Sequence, residues 1–165
     1  MSLKNNGVPT AEELKKVQPS KESLSKGPVV MMECFQNIPC DPCSACCPSG
    51  AIKLFEDIND LPEVDYKKCT GCGICISYCP GLAIFVIDIN HNEHEALIKL
   101  PYELLPLPKQ GQIVAGLDRA GTKVANVRVK KVLKHKNKTN VISILVPKHL
   151  AMVIRNIKVE DKKNG

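Results

Sequence analysis

The stretch Cys69-Thr70-Gly71-Cys72-Gly73-Ile74-Cys75-Ile76-Ser77-Tyr78-Cys79-Pro80 decides how the rest of this chain is read. Two residues separate the first cysteine from the second, two the second from the third and three the third from the fourth, with a proline behind. Three thiolates this close along a glycine-bearing loop converge on three corners of one iron-sulfur cubane. The fourth, thrown outward by a short helical turn, reaches a different cluster, so the motif predicts a partner motif. Zinc is a poor alternative, because structural zinc usually pairs two separated Cys-x2-Cys hooks.

The partner lies upstream, in Cys34-Phe35-Gln36-Asn37-Ile38-Pro39-Cys40-Asp41-Pro42-Cys43-Ser44-Ala45-Cys46-Cys47-Pro48. A shift of 32 residues lays Cys40 on Cys72, Cys43 on Cys75, Cys47 on Cys79, Pro48 on Pro80 and Ile52 on Ile84. The chain therefore contains an internal duplication, broken where Asn37 stands in the place of Cys69. A cubane needs four ligands, and Cys34 is the nearest thiol that restores the count. With the crossed wiring of such paired motifs, one [4Fe-4S] cluster takes Cys34, Cys40, Cys43 and Cys79, and the other takes Cys69, Cys72, Cys75 and Cys47. Cys46 is left over. Adjacent residues on a helical turn point about 100° apart, so Cys46 and Cys47 do not share an iron corner, and Cys46 reads as a small buried hydrophobe. Two alternatives stay open: Cys46 ligates in place of Cys34, or only three cysteines bind and the first cluster is irregular, a [3Fe-4S] centre.

The two loops differ chemically. Gly71 and Gly73 allow backbone N–H groups to point at cluster sulfurs, whereas Pro42 has no N–H and Asp41 adds a negative charge. Fewer donors and a nearby carboxylate both disfavour reduction, so the Cys40/Cys43 cluster is expected to have the lower potential.

All nine cysteines of this 165-residue chain lie between Cys34 and Cys79. An odd, clustered set is not a secreted disulfide framework, and the polar start has no signal-peptide core. No window reaches the length of apolar sequence that spans a bilayer. The expectation is a cytoplasmic, reducing setting without membrane insertion. The net charge of +6 hides an asymmetry: residues 1–100 hold 9 Lys and Arg against 13 Asp and Glu, and residues 101–165 hold 14 against 4. Such a split suggests two modules with different contacts.

Three regions follow. Residues 1–28 read as an N-terminal arm with a short helix, capped by Thr10 with Glu13 as its return partner and followed by a turn-rich connection. Residues 29–95 read as the cluster domain, with strands at 29–33, 51–55, 63–65 and 84–89. Residues 96–165 read as a small basic antiparallel β-barrel-like domain for partner docking. Its strands lie at 112–117, 124–132 and 141–146, and a helix runs from Pro147 to about Arg155. His91 and His94, flanked by Asn92, Glu93 and Glu95, read as exposed turn residues rather than metal ligands.

Residues 29–89 resemble a bacterial-type two-cluster ferredoxin, which implies a pseudo-twofold α+β domain. A closer resemblance adds Glu33, the second motif and Pro101-Tyr102-Glu103-Leu104-Leu105-Pro106-Leu107-Pro108. With these, most of the chain resembles the small iron-sulfur subunits that accompany flavin-dependent amino-acid dehydrogenases of the proline, hydroxyproline and sarcosine type in anaerobic bacteria. That resemblance implies an electron relay with flavoprotein partners. Nothing in the chain reads as a flavin or nucleotide site, since it has neither Gly-x-Gly-x-x-Gly nor a P-loop. A reductase acting at the irregular cluster is the alternative. A nucleic-acid-binding module with structural clusters is disfavoured, because no aromatic residue follows Tyr102 to serve as a stacking platform.

Overall fold

Two runs of apolar residues, Val29-Val30-Met31-Met32 and Ile84-Phe85-Val86-Ile87, have no polar face, which suits strands covered on both sides. The structure, a computed structural model describing residues 3–160, makes them β1 (Val29–Met32) and β2 (Ile84–Asp88), paired antiparallel. Successive side chains on a strand point to opposite faces. Val29, Met31, Phe85 and Ile87 accordingly enter one core, and Val30, Met32, Ile84 and Val86 enter another, which contains the cysteines.

The first core belongs to a larger sheet that adds β3 (Glu95–Tyr102), β4 (Ile113–Leu117), β5 (Lys123–Leu133), β6 (Asn140–Pro147) and β7 (Asn156–Lys158). The order is β1-β2-β3-β6-β5-β4-β7, every neighbouring pair antiparallel. Alternation sends Ala96, Ile98, Leu100 and Tyr102 of β3 and Ile142, Ile144 and Val146 of β6 into this core, with Val127 and Val129 of β5. The sheet curls until the non-neighbours β3 and β7 touch, yet its ladder stays open, with β1 and β7 at the edges.

That open sheet corrects the expected barrel. A barrel of the C-terminal strands alone needs their hydrogen bonds to close on one another. Here β3 bonds β6 on one side and β2 on the other, so the groups that would close the ring join it to the cysteine-bearing half. Strands before and after residue 96 form one sheet.

The local expectations divide. Three short helices precede β1: α1 (Leu3–Asn6), α2 (Ala11–Val17) and α3 (Lys21–Ser25). Thr10 caps α2 with both bonds of the capping box, Glu13 N to Thr10 Oγ1 at 3.2 Å and Thr10 N to Glu13 Oε2 at 2.7 Å. The connection before β1 contains α3, where Ser20 caps and Leu24 enters the core. Strands expected at 51–55 and 63–65 reduce to one bridge, Ile52 to Val64: Ala51 and Ile52 are buried, but the chain beyond them turns outward, with Leu54 81% exposed. The helix expected after Pro147 is a single 3-10 turn, Lys148–Leu150; the chain then returns as β7 along β4, and Arg155 N bonds Leu117 O at 2.9 Å.

Candidate iron-sulfur site

Each motif forms one short helix, α4 (Pro42–Cys46) and α5 (Ile74–Tyr78), and the two pack together. Cys47 and Cys79 end these helices with nearly the same backbone, φ −71 and ψ 110 against φ −77 and ψ 111. The turns beyond also correspond. Gly50 N bonds Cys47 O and Leu82 N bonds Cys79 O, both at 3.3 Å. Ala51 N donates to Cys47 Sγ at 3.3 Å, and Ala83 N donates to Cys79 Sγ at 3.5 Å. The sequence duplication is thus a duplication of local geometry.

Two cavities flank the helix pair. Cys47, Cys69, Cys72 and Cys75 line the first, about 340 Å³ of atom-free space partly open to solvent, with Val30, Ile52 and Val86 as apolar cover. Cys34, Cys40, Cys43 and Cys79 line the second, about 390 Å³ on the same measure, with Met32, Phe55 and Ile84. Each cavity takes three thiols from one motif and one from the other. Asn37 lines neither; its side chain donates to Asn59 O at 3.0 Å. Cys46 lines neither as well, and its half-buried thiol donates to Cys43 O at 3.4 Å. Among the described residues no three His, Cys, Asp or Glu side chains close on one metal ion; the thiols rim volumes instead.

Burial and then the neighbouring thiols push Cys75 up to about 12, those neighbours being Cys46, Cys72, Cys69 and Cys47. Burial, followed by Cys79, pushes Cys43 up to about 11 and raises Cys34 and Cys40. Burial thus opposes the thiolate at Cys34, Cys40, Cys43 and Cys75, and the positive charge of an iron core would favour it there. At Cys47 burial also works against the thiolate, but donors from Ile52, Ser49 and Ala51 together hold the thiol below its ordinary value. The donor set fits an iron-sulfur cluster.

Gly71 adopts φ +67, and a Cβ there would stand 2.6 Å from Pro28 O, so the loop that carries Cys69 and Cys72 passes against the start of β1. Only glycine satisfies both demands.

Sequence reading missed the side chains that hold this lobe from outside. Lys99 of β3 donates from Nζ to Gly71 O at 2.9 Å and to Cys72 O at 3.4 Å. Asn137 Nδ2, from the basic β5–β6 connection, donates to Ser77 O at 2.7 Å on α5. Glu33, the residue before Cys34, accepts from Arg119 and Arg155, and Arg155 also stacks over Phe85 at 5.2 Å. Burial works against the Glu33 carboxylate, yet the two guanidiniums hold it below the usual carboxylate range. A lone cation between Ile98 and Leu100, and a lone acid beside an apolar run, were the only signals in the sequence. His91 and His94 lie in the β2–β3 turn, His91 half-buried near Lys130 and His94 exposed.

Residues 62–85, which hold Cys69, Cys72, Cys75 and Cys79, match the 4Fe-4S binding domain family. Over 75 residues the chain is 42% identical to one component of the ion-translocating oxidoreductase complex of Methanosarcina acetivorans, covering 45% of this chain and 27% of that protein. It is 30% identical over 110 residues to one of the subunits of selenate reductase of Mesobacillus selenatarsenatis, covering 64% and 35%. It is 36% identical over 61 residues to the ferredoxin-type protein NapF of Haemophilus influenzae, covering 36% and 35%. The chain thus spans about a quarter to a third of the length of these curated relatives. No solved structure matches it.

Proposed function

We propose that this chain is an iron-sulfur electron-transfer subunit of an oxidoreductase complex. In this reading Cys34, Cys40, Cys43 and Cys79 hold one [4Fe-4S] cluster, and Cys47, Cys69, Cys72 and Cys75 hold a second. The observation that carries it is the grouping of eight of the nine cysteines into two four-thiol cavities, each completed by the other motif. The names of the relatives, two of them oxidoreductase subunits, support the assembly.

Bound in these cavities, such clusters accept and release single electrons. The chain's part is position and environment. Cys43 and Cys47 flank the body of α4, and Cys75 and Cys79 flank that of α5, so two short helices tie the cavities at a fixed separation. Val30 and Val86 cover one cavity and Met32 and Ile84 the other, all from the double-faced β1–β2 pair, which keeps water from the thiols on that side.

The electron donor in this reading is a flavoprotein dehydrogenase of the class the sequence resembles, in the reducing cytoplasm of an anaerobe. Residues 96–165 serve its docking. No helix among the described residues is long and apolar enough to cross a membrane. Anaerobic reconstitution followed by iron and sulfide analysis tests the reading: about eight of each per chain is expected for two cubanes. About four, or redox-silent clusters, would overturn it.

A further inference from the structure

We propose that Lys99 is a positioning residue that braces the 69–75 loop and raises the reduction potential of the cluster held there. The inference rests on the two-cluster reading above and deepens it, because it makes a residue outside both cysteine motifs responsible for a difference between the two centres.

The geometry is specific to one loop. Lys99 lies at the middle of β3, paired with Val86 on one side and Ser143 on the other. Ile98 and Leu100 point into the large core, so Lys99 points the other way, toward the cysteine lobe. Its stem runs under the loop: a Cβ on Gly73 would stand 3.4 Å from Lys99 Cδ. Its head reaches the carbonyls of Gly71 and Cys72. A lysine ammonium has three donors and no acceptor capacity, so it suits a site of converging carbonyls. None of the ion pairs among the described residues includes Lys99.

The other loop has the opposite surroundings. Cys40 N bonds Ile58 O at 3.1 Å, so the 56–60 segment, with Glu56, Asp57 and Asp60, covers that side. Asp60 lines the cavity, and Asp41 directly follows Cys40 in the chain. Adding an electron is favoured beside a cation and disfavoured beside an anion. The internal duplication built two similar ligand loops, and the strand pairing then placed Lys99 against the 69–75 loop.

The test is an EPR-monitored redox titration of the cluster-loaded full chain as wild type, Lys99→Arg, Lys99→Gln and Lys99→Met. The signal of the 69–75 loop is identified by its loss in Cys72→Ala. Lys99→Gln and Lys99→Met are expected to shift that midpoint to a more negative potential and leave the other in place, whereas Lys99→Arg keeps it near wild type. Lys99→Gln retains a donor for the carbonyls, so it reports on charge even where Lys99→Met loses iron. An unmoved midpoint in Lys99→Gln, or equal shifts of both midpoints, would overturn the inference while leaving the two-cluster reading intact. A wild-type chain that loads no reducible cluster would overturn both.

Discussion

Glu33 Oε1 accepts a hydrogen bond from Arg155 Nε at 2.6 Å, although 122 residues separate the two in sequence. Both side chains are buried, at 8% and 4% exposure, and Arg119 closes the other side of the carboxylate. Arg155 spends its remaining donors on the carbonyls of Ala151 and Ile154 and on the sulfurs of Met31 and Met152. The ion pair therefore ties the residue before Cys34 to the segment entering β7. Burial pulls Arg155 down to about 10 despite Glu33 beside it, so the guanidinium stays charged at neutral pH.

Removing one member of a buried pair leaves the other charged and unsolvated, which typically costs about 3–5 kcal/mol. Arg155→Ala should lower the thermal midpoint strongly, and Arg119→Ala less, since Arg155 is the more buried of the two and also holds the Ala151 and Ile154 carbonyls and the Phe85 face. The double variant Glu33→Gln/Arg155→Met should lose less than the two single changes added together. Melting curves at one scan rate check the order, and equal loss from both arginine variants would contradict it.

The crossed grouping of thiols makes each motif depend on its twin. Cys47→Ala should damage the centre built on Cys69, Cys72 and Cys75, and Cys79→Ala the one built on Cys34, Cys40 and Cys43. EPR of the reduced variants separates the two. Retention of the second-motif signal in Cys47→Ala, with its loss in Cys79→Ala, would mean that each motif serves its own cluster.

Cys34 and Cys46 compete for the place that Asn37 leaves vacant in the duplication. Cys34 lines the second cavity and Cys46 lines neither, its thiol bonded to the Cys43 carbonyl. Cys34→Ala should lower the iron count, and Cys46→Ala should leave it near wild type. Loss of iron in Cys46→Ala alone would reassign the ligand.

Gly71 and Gly50 share a left-handed backbone, φ +67 and φ +62, but only Gly71 lies against backbone. A side chain in that region costs about 1–2 kcal/mol from conformation alone. Gly50→Ala should lose about that much, because nothing stands within 4 Å of the added Cβ. Gly71→Ala must also push Pro28 away, so it should lose more stability and impair iron uptake at the 69–75 loop. Comparable melting temperatures for the two variants would count against the close approach as the reason for glycine.

The spacing of Cys69, Cys72, Cys75 and Cys79, the 32-residue shift and the substitution of Asn37 were legible in the sequence because ligand loops are local: a few residues of chain determine which thiols can face one volume. The same holds for the Thr10 cap and for the two-sided burial implied by Val29-Val30-Met31-Met32. Apolar periodicity also located β4, β5 and β6, but not β3 or β7, and not which strands are neighbours. Pairing is decided by which edges meet in three dimensions, and β6 meets β3 instead of closing a ring. From that single choice follow the open sheet, the approach of Lys99 to Gly71, the reach of Asn137 to Ser77 and the burial of Glu33 between two arginines. Composition marked residues 101–165 as basic; only the tertiary structure turned two of those charges, Arg119 and Arg155, inward, because a buried carboxylate next to Cys34 required them.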